Sequence, residues 1–475
     1  MRLEHDCIGE MEIEDELYYG IQTERARNNF AVSNTTYESY PVYLRSIAYL
    51  KIAAARANKE IGALPAELAD AICQAAEEVI QGKLQGMFPV DVFSGGTSVN
   101  MNVNEVIANR ANEILTGHKG YEKVHPNTHV NMGQSTNDVI PAAIEISCYY
   151  YFEDLIKELE QLLTVLDEKK KAFADVVKIA RTCLQDAVPI TLGQEFSGYY
   201  SLIHRQIDLC KKAQNTCTHL SFGGSAVGTC IGTFPGYLEA VYRHLEKVTG
   251  IPVKCRENII DGYQNDDGFL MVSATLKSVA TSISKMSRDF RLMSSGPRAG
   301  LSEINLPSLQ PGSSIMPGKI NPVIPEMMIH ICYQVCGNDL AVTMSVEAGE
   351  LDLNVWDAPL RKCIQESFIL LTNGLHLFTN KCVKGITANE KNCRSYAERS
   401  LANATILAAI YGYEKGTAIV KEAYQNNESI KETAIRNQIL SPEEAEIVLD
   451  PMLLTDQVKC SEIVEKYKEK IKVTK

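Results

Sequence analysis

The sequence predicts an all-α protein of more than one domain, organised round a bundle of long helices, and three observations predict it. Apolar residues recur at three- and four-residue steps, as in Phe152, Leu155, Ile156, Leu159, Leu162, Leu163 and Leu166, and again in Leu276, Val279, Ala280, Ile283, Met286, Phe290 and Met293. Nothing alternates strand with helix in the manner of a doubly wound α/β sheet. At 475 residues the chain exceeds a usual single core, so two or three domains are expected.

The first part, residues 1–136, mixes short helical stretches with turns. The second, residues 137–390, holds the long amphipathic pattern, which runs from about Tyr149 to Lys381. Helices with apolar stripes and few breakers pack side by side, and about five of them are expected to form a bundle. Their stripes are core rather than ligand contacts. Two breaks interrupt them. Gly223-Gly224-Ser225-Ala226-Val227-Gly228-Thr229 is glycine-rich enough to suggest a phosphate cradle, but it has no following Lys-Ser/Thr and follows no clear strand, so it reads as a close helix-to-helix turn. The other break is residues 312–322, after which Met327 to Val346 reads as a further helix. Gly385-Ile386-Thr387-Ala388-Asn389 marks the start of a third, smaller helical part, residues 391–475, whose lysine-rich end reads as a solvated tail. There are no internal repeats and no low-complexity tract.

Composition narrows the function classes. A formal net charge of −12 argues against nucleic-acid or anionic-membrane partners and leaves any anionic substrate dependent on local positive groups. No apolar run is long enough to span a bilayer. Fourteen cysteines lie scattered without a CxxC pair, and no basic-then-apolar leader opens the chain, so a reduced cytoplasm is expected. Cys332 with Cys336, and His125 with His129, stand four apart, but two ligands make no closed zinc site; buried thiols and loop histidines are expected, with no metal.

The stretch that organises the chain is Gly312-Ser313-Ser314-Ile315-Met316-Pro317-Gly318-Lys319-Ile320-Asn321-Pro322, with Glu326 shortly behind. Its glycines and prolines rule out a helix. Gly312 and Gly318 let backbone N–H groups approach a ligand, Lys319 adds positive charge, and the amide of Asn321 can orient a carboxylate, a set that suits a small polyanionic acid. Ser313 and Ser314 can donate to that acid or, once deprotonated, take a proton from it. The same residue types also serve a Gly/Pro-rich connector whose serines cap the next helix. Three further stretches are polar within the helical pattern. Ser94-Gly95-Gly96-Thr97-Ser98-Val99-Asn100-Met101-Asn102 is a glycine turn entering a helix whose amino end can hold a carboxylate. Gly133-Gln134-Ser135-Thr136-Asn137-Asp138 is either a site segment or a helix cap before Pro141. The third is Arg181-Thr182-Cys183-Leu184-Gln185-Asp186-Ala187-Val188-Pro189.

Together with Ser294-Ser295-Gly296-Pro297-Arg298-Ala299-Gly300, these blocks resemble, in order and separation, the signatures of the aspartase/fumarase superfamily. The resemblance implies a three-domain aspartase/fumarase fold with a central long-helix bundle, assembled into a homotetramer whose sites draw groups from different subunits. It implies a small dicarboxylate substrate and no cofactor, with activation by a divalent ion left open. Carried over residue by residue, it makes Ser313 the base that takes a proton from the carbon beside the distal carboxylate. Thr97, Ser135, Thr136 and Ser314 would surround that carboxylate, Lys319 and Asn321 with Thr182 would hold the other, and Asn137 would lie near the departing amine. Glu326 would stand behind the loop, holding Lys319 or a water.

Blocks at Ser302–Pro307, Val323–Glu326 and Glu347–Val355 resemble the ammonia-eliminating members, so aspartate ammonia-lyase activity is expected, with class II fumarate hydratase or a non-catalytic superfamily scaffold as alternatives. Cys183 departs from the pattern, standing where many members carry His and some Gln. A protonated amine already leaves as neutral ammonia whereas hydroxide needs an acid, so the loss of an imidazole leans toward ammonia. A thiol also holds an amine weakly.

Overall fold

The computed structural model describes residues 1–473. The chain opens with an antiparallel hairpin of β1 (Arg2–His5) and β2 (Glu10–Ile13), followed by α1 (Ile21–Asn29), α2 (Pro41–Glu60), α3 (Ala66–Ile80) and α4 (Gly96–Thr116). A π-helical turn, Pro126–Val130, leads to α5 (Thr136–Ala172), the hairpin of β3 (Val177–Thr182) and β4 (Gln185–Thr191), and α6 (Leu192–Thr216). Strands β5 (His219–Leu220) and β6 (Lys254–Cys255) pair in parallel on either side of α7 (Tyr237–Thr249). Then come α8 (Asp261–Gln264), α9 (Asp267–Met293), β7 (Ile304–Asn305), α10 (Val323–Glu347), α11 (Asp357–Lys381) and β8 (Thr387–Ala388), the last paired with β7. The chain closes with α12 (Glu390–Arg399), α13 (Ala404–Tyr411), α14 (Tyr413–Asn426), α15 (Ile430–Arg436), α16 (Pro442–Val448) and α17 (Gln457–Val473).

Five helices stand out by length: α5 has 37 residues, α9 has 27, and α6, α10 and α11 have 25 each. The stripes explain them. Residues three and four apart share one face, and Phe152, Leu155, Leu159, Leu162 and Leu166 of α5 are all buried, as are Leu276 through Met293 at the same steps in α9.

The chain divides into two compact units. One comprises Met1–Lys157, Asp208–Ala280 and Ile331–Thr372; the other comprises Glu158–Ile207, Thr281–His330 and Asn373–Lys475. In the first, α2 packs on α3 and α7, and Tyr151 and Phe152 meet Phe368 at ring distances of 5.4 and 4.7 Å. In the second, Phe196, Phe290 and Phe378 stack in series at 5.7 and 5.9 Å. The last third of that unit has its own core of Leu407, Ala423, Ile430, Ala434, Ala445, Val448 and Tyr467.

Two expectations need correcting here. The lysine-rich end is not a solvated tail: it is α17, whose Tyr467 is buried and whose Ile463 and Val464 pack on that core. The glycine-rich stretch is not a close helix-to-helix turn, because β5 and a loop over residues 221–236 separate α6 from α7.

Candidate active site

In the first unit, Gly95 caps α4, and Thr97 stands exposed in a first turn that carries no acid. That helix end favours an anion. Ser135 precedes α5 and caps it reciprocally: the Asn137 N–H donates to Ser135 Oγ (3.3 Å), and the Ser135 N–H donates to Asp138 Oδ1 (2.9 Å). Asp138 Oδ2 accepts from the N–H groups of Gly223 and Ser225, both at 3.1 Å, and Asn137 Nδ2 donates to the Ala226 carbonyl (2.8 Å). The glycine-rich stretch therefore does cradle an anion, the protein's own carboxylate. Gly223 at φ +93° brings its N–H round without the penalty a side chain would incur. Burial pushes Asp138 up to about 7 against those donors.

Thr97, Thr136 and Asn137 line one cavity of about 300 Å³ with Gly96, Tyr263, Asn354 and Asp357. Ser135 is a cap beside that lining rather than part of it. His125 and His129 serve the π-helical turn: His125 Nδ1 accepts from the N–H groups of Asn127 and Thr128, and the His125 N–H donates to His129 Nδ1. None of the fourteen cysteines stands in a disulfide.

In the second unit, Thr182 ends β3, and Cys183 and Leu184 form a two-residue hairpin turn with φ of +52° and +61°. Positive φ at both positions is the primed-turn geometry that matches strand twist, and it normally takes Asn-Gly. The hairpin is anchored one pair short of its turn, where Arg181 Nη1 donates to both oxygens of the buried Glu303 at 2.8 and 2.9 Å. Its tip, with Thr182 and Cys183, is exposed.

The stretch 312–322 is a loop, and it closes on itself. The Gly312 N–H donates to the Lys319 carbonyl (2.7 Å), and Asn321 Nδ2 donates to the Gly312 carbonyl (2.9 Å). Inside it, Ser313 Oγ accepts from the N–H groups of Ile315 (3.2 Å) and Met316 (3.0 Å). Ser314 and Lys319 are exposed, and Lys319 forms no ion pair among the described residues. Asn321 therefore has one amide hydrogen committed to loop closure, leaving the other for a ligand. Glu326, in the first turn of α10, does not hold Lys319: it pairs with Arg291 at 3.4 Å, a residue of the last turn of α9.

The predicted residues thus fall into three groups: Thr97, Thr136 and Asn137 at one cavity, Thr182 and Cys183 at one turn, and Ser313, Ser314, Lys319 and Asn321 in one loop. Lys51, Asn100 and Asp138 were not singled out, although Lys51 carries a visible signal as a charge on the apolar stripe of α2.

Residues 9–337 match the family described as Lyase, and residues 404–456 match the one described as Fumarase C C-terminus. The chain belongs to this lyase family. Among curated relatives, the aspartate ammonia-lyase of Helicobacter pylori is 46% identical over 95% of this chain and 97% of its own, and that of Bacillus subtilis is 44% identical over 96% of each. A solved structure of a fumarate lyase:delta crystallin from Brucella melitensis superposes with a TM-score of 0.93 at 41% identity, covering 96% of this chain and 99% of that one. The class II fumarase of Schistosoma mansoni gives 0.92 at 34%, covering 96% and 99%. The lyase has no helix among its described residues long and apolar enough to cross a membrane.

Proposed function

We propose that the protein is an aspartate ammonia-lyase, converting L-aspartate reversibly to fumarate and ammonia, with Ser313 as the general base. The observation that carries this reading is the pair of backbone N–H groups on Ser313 Oγ, at 3.2 and 3.0 Å, in a chain 40–46% identical to curated aspartate ammonia-lyases. A free serine is too weak a base to lift a proton from carbon. Two fixed donors, and the charge of Lys319 in the same loop once it closes over substrate, stabilise its alkoxide, more strongly once water is excluded.

The alkoxide takes a proton from the carbon beside the distal carboxylate, whose negative charge grows as that bond breaks. Hydroxyls of Thr97, Thr136 and Ser314 and the N-terminus of α4 stabilise that charge, each well-aimed donor contributing about a hundredfold or more in rate. Lys319, Asn321 and Thr182 hold the other carboxylate. The bond to the substrate's protonated amine then breaks as the carbanion's electron pair closes the double bond; the carbon–nitrogen pair leaves with nitrogen as neutral ammonia, so no acid is required.

Copies of the chain assemble into a tetramer in this account. The support is exposure: Thr182, Cys183, Ser314 and Lys319 stand uncovered on the single chain, with Ile315, next to Ser314, at 84% exposure. Catalysis of this kind needs a covered site. Fourteen cysteines without a disulfide support a cytoplasmic setting. Base and charge stabilisation both come from the chain, so no cofactor enters the scheme; turnover with and without a chelator tests for divalent-ion activation.

The experiment adds aspartate, then malate, to the purified protein and follows the ultraviolet absorbance of the conjugated diacid. Signal with aspartate supports the reading. Signal with malate alone favours the hydratase, the reading that the Schistosoma likeness supports, and silence with both, and with other succinate derivatives, favours a scaffold or a different substrate.

A further inference from the structure

Lys51 is fully buried in α2, between Leu50 and Ile52, and forms no ion pair among the described residues. Its Nζ instead meets three amide oxygens: Asn100 Oδ1 at 2.7 Å, Gln134 Oε1 at 2.9 Å and Asn131 Oδ1 at 3.1 Å. A buried ammonium with no carboxylate in ion-pair contact, and only the longer-range field of buried Asp138 to offset its burial, costs more than an apolar side chain of similar volume, so stability alone does not explain the residue. Burial pulls Lys51 down to about 7. Three acceptors at hydrogen-bond distance nevertheless claim one more hydrogen than a neutral amine carries, and we assign it as the ammonium.

An ammonium only donates, so each amide must turn its oxygen inward and its nitrogen away. Asn131 Nδ2 then donates to the Gln134 carbonyl (3.1 Å), and Gln134 Nε2 to the Val130 carbonyl (3.0 Å), pinning the turn before Ser135. Asn100 Nδ2 donates to Thr136 Oγ1 and to Asn131 Oδ1, both at 3.2 Å, so the Asn131 oxygen that faces Lys51 also helps hold Asn100 in this orientation. Thr136 thus receives a hydrogen bond from behind. Its own hydroxyl hydrogen cannot point back at Asn100 and is left for the cavity that Thr136 lines. Were Asn100 turned round, its oxygen would capture that hydrogen and the cavity would lose a donor.

We propose that Lys51 is a positioning residue for the reaction: acting through Asn100, it fixes the polarity of a hydrogen-bond chain that presents the Thr136 hydroxyl as a donor to the substrate carboxylate. The proposal rests on the reading of Thr136 given above. It differs from a packing role, because the cation acts on the direction of a hydrogen rather than on the position of a helix.

A double-mutant cycle on the full-length protein tests it. Asn100→Asp keeps the size and the contact with Lys51, but replaces the donor facing Thr136 and Asn131 Oδ1 with an acceptor; the Asn131 part is common to both backgrounds and drops out of the cycle. It should lower kcat/KM for aspartate about ten- to a hundredfold, the range for one hydrogen bond to a charged group. On the Thr136→Val background, where no hydroxyl remains to be misdirected, the same change should cost about tenfold less than it does on the wild type. Lys51→Met, which brings no new charge into the core, perturbs the chain from its other end with the same expected pattern, and the thermal midpoint of each variant separates lost folding from lost polarity. If the wild type makes no fumarate, or Thr136→Val alone costs less than about threefold, the reading of the site falls and the proposal with it. If those hold but Asn100→Asp and Lys51→Met cost the same factor on both backgrounds, only the relay is overturned.

Discussion

Replacing Gly312 by alanine adds one methyl group where the loop has no room for it. A Cβ there would lie 2.7 Å from the backbone nitrogen of Asn321 and 2.8 Å from both Cγ and Oδ1 of its side chain. Real Cβ atoms do not approach backbone so closely, so the two ends of the loop must part. Parting them breaks the two hydrogen bonds that close the loop, from the Gly312 N–H to the Lys319 carbonyl (2.7 Å) and from Asn321 Nδ2 to the Gly312 carbonyl (2.9 Å). At about 1 kcal/mol each, the closed form loses about 2 kcal/mol, or about thirtyfold in population. Fumarate formation measured at subsaturating aspartate should fall by that factor, while the thermal midpoint stays unchanged because the loop is exposed. Gly318→Ala is the control: its φ of +80° brings strain, but no atom lies within 4 Å of the new methyl, so a smaller loss is expected. A Gly312→Ala enzyme within threefold of the wild type would refute the view that loop closure organises Ser313.

Other perturbations test other parts of the account. Phe290→Ala opens a cavity between Phe196 and Phe378 and should cost about 3–5 kcal/mol in chemical unfolding. Asp138→Ala strands the N–H groups of Ser135, Gly223 and Ser225; about 3 kcal/mol of stability should go with it, and kcat/KM should fall because Ser135 and Asn137 lose their anchor. Buried Glu105 accepts from Gly20, Gln22 and Thr23 at the start of α1, yet burial raises it from 4.5 to about 7. The folded state therefore holds a proton that the unfolded chain releases, and this contribution is full below about 4.5 and lost as pH rises through about 7. Thermal midpoints should show a downward slope across that window that Glu105→Gln flattens; parallel slopes would contradict the assignment.

Much of this was legible in the sequence, for identifiable reasons. The five long helices announce themselves because every stripe residue must share a face, and the loop at Gly312 because its glycines and prolines exclude a helix while its polar groups exceed what a turn needs. The β3–β4 hairpin was not legible: Cys183-Leu184 carries none of the Asn-Gly signal of a primed turn, so the Arg181 block read only as a polar segment. The glycine-rich loop looked like a phosphate cradle without a phosphate motif because its anion is Asp138, 85 residues away from Gly223 in sequence. At the carboxyl end the number of lysines masked a helical stripe of Ile463, Val464 and Tyr467. Lys51 shows the opposite problem. Its position on the stripe of α2 was visible, but three amides from two distant segments give it meaning, and no local pattern joins them.

The central claim is that a hydroxyl at position 313, held by the N–H groups of Ile315 and Met316, does the proton abstraction. Its most direct test is Ser313→Ala, measured as turnover of aspartate beside the inhibition constant of a non-reacting dicarboxylate on the reverse reaction or its calorimetric affinity. The account predicts a fall in kcat of about a hundred- to ten-thousandfold, the range for a lost general base, with dicarboxylate affinity kept within a few-fold. An alanine enzyme that turns aspartate over at near wild-type rate would contradict it.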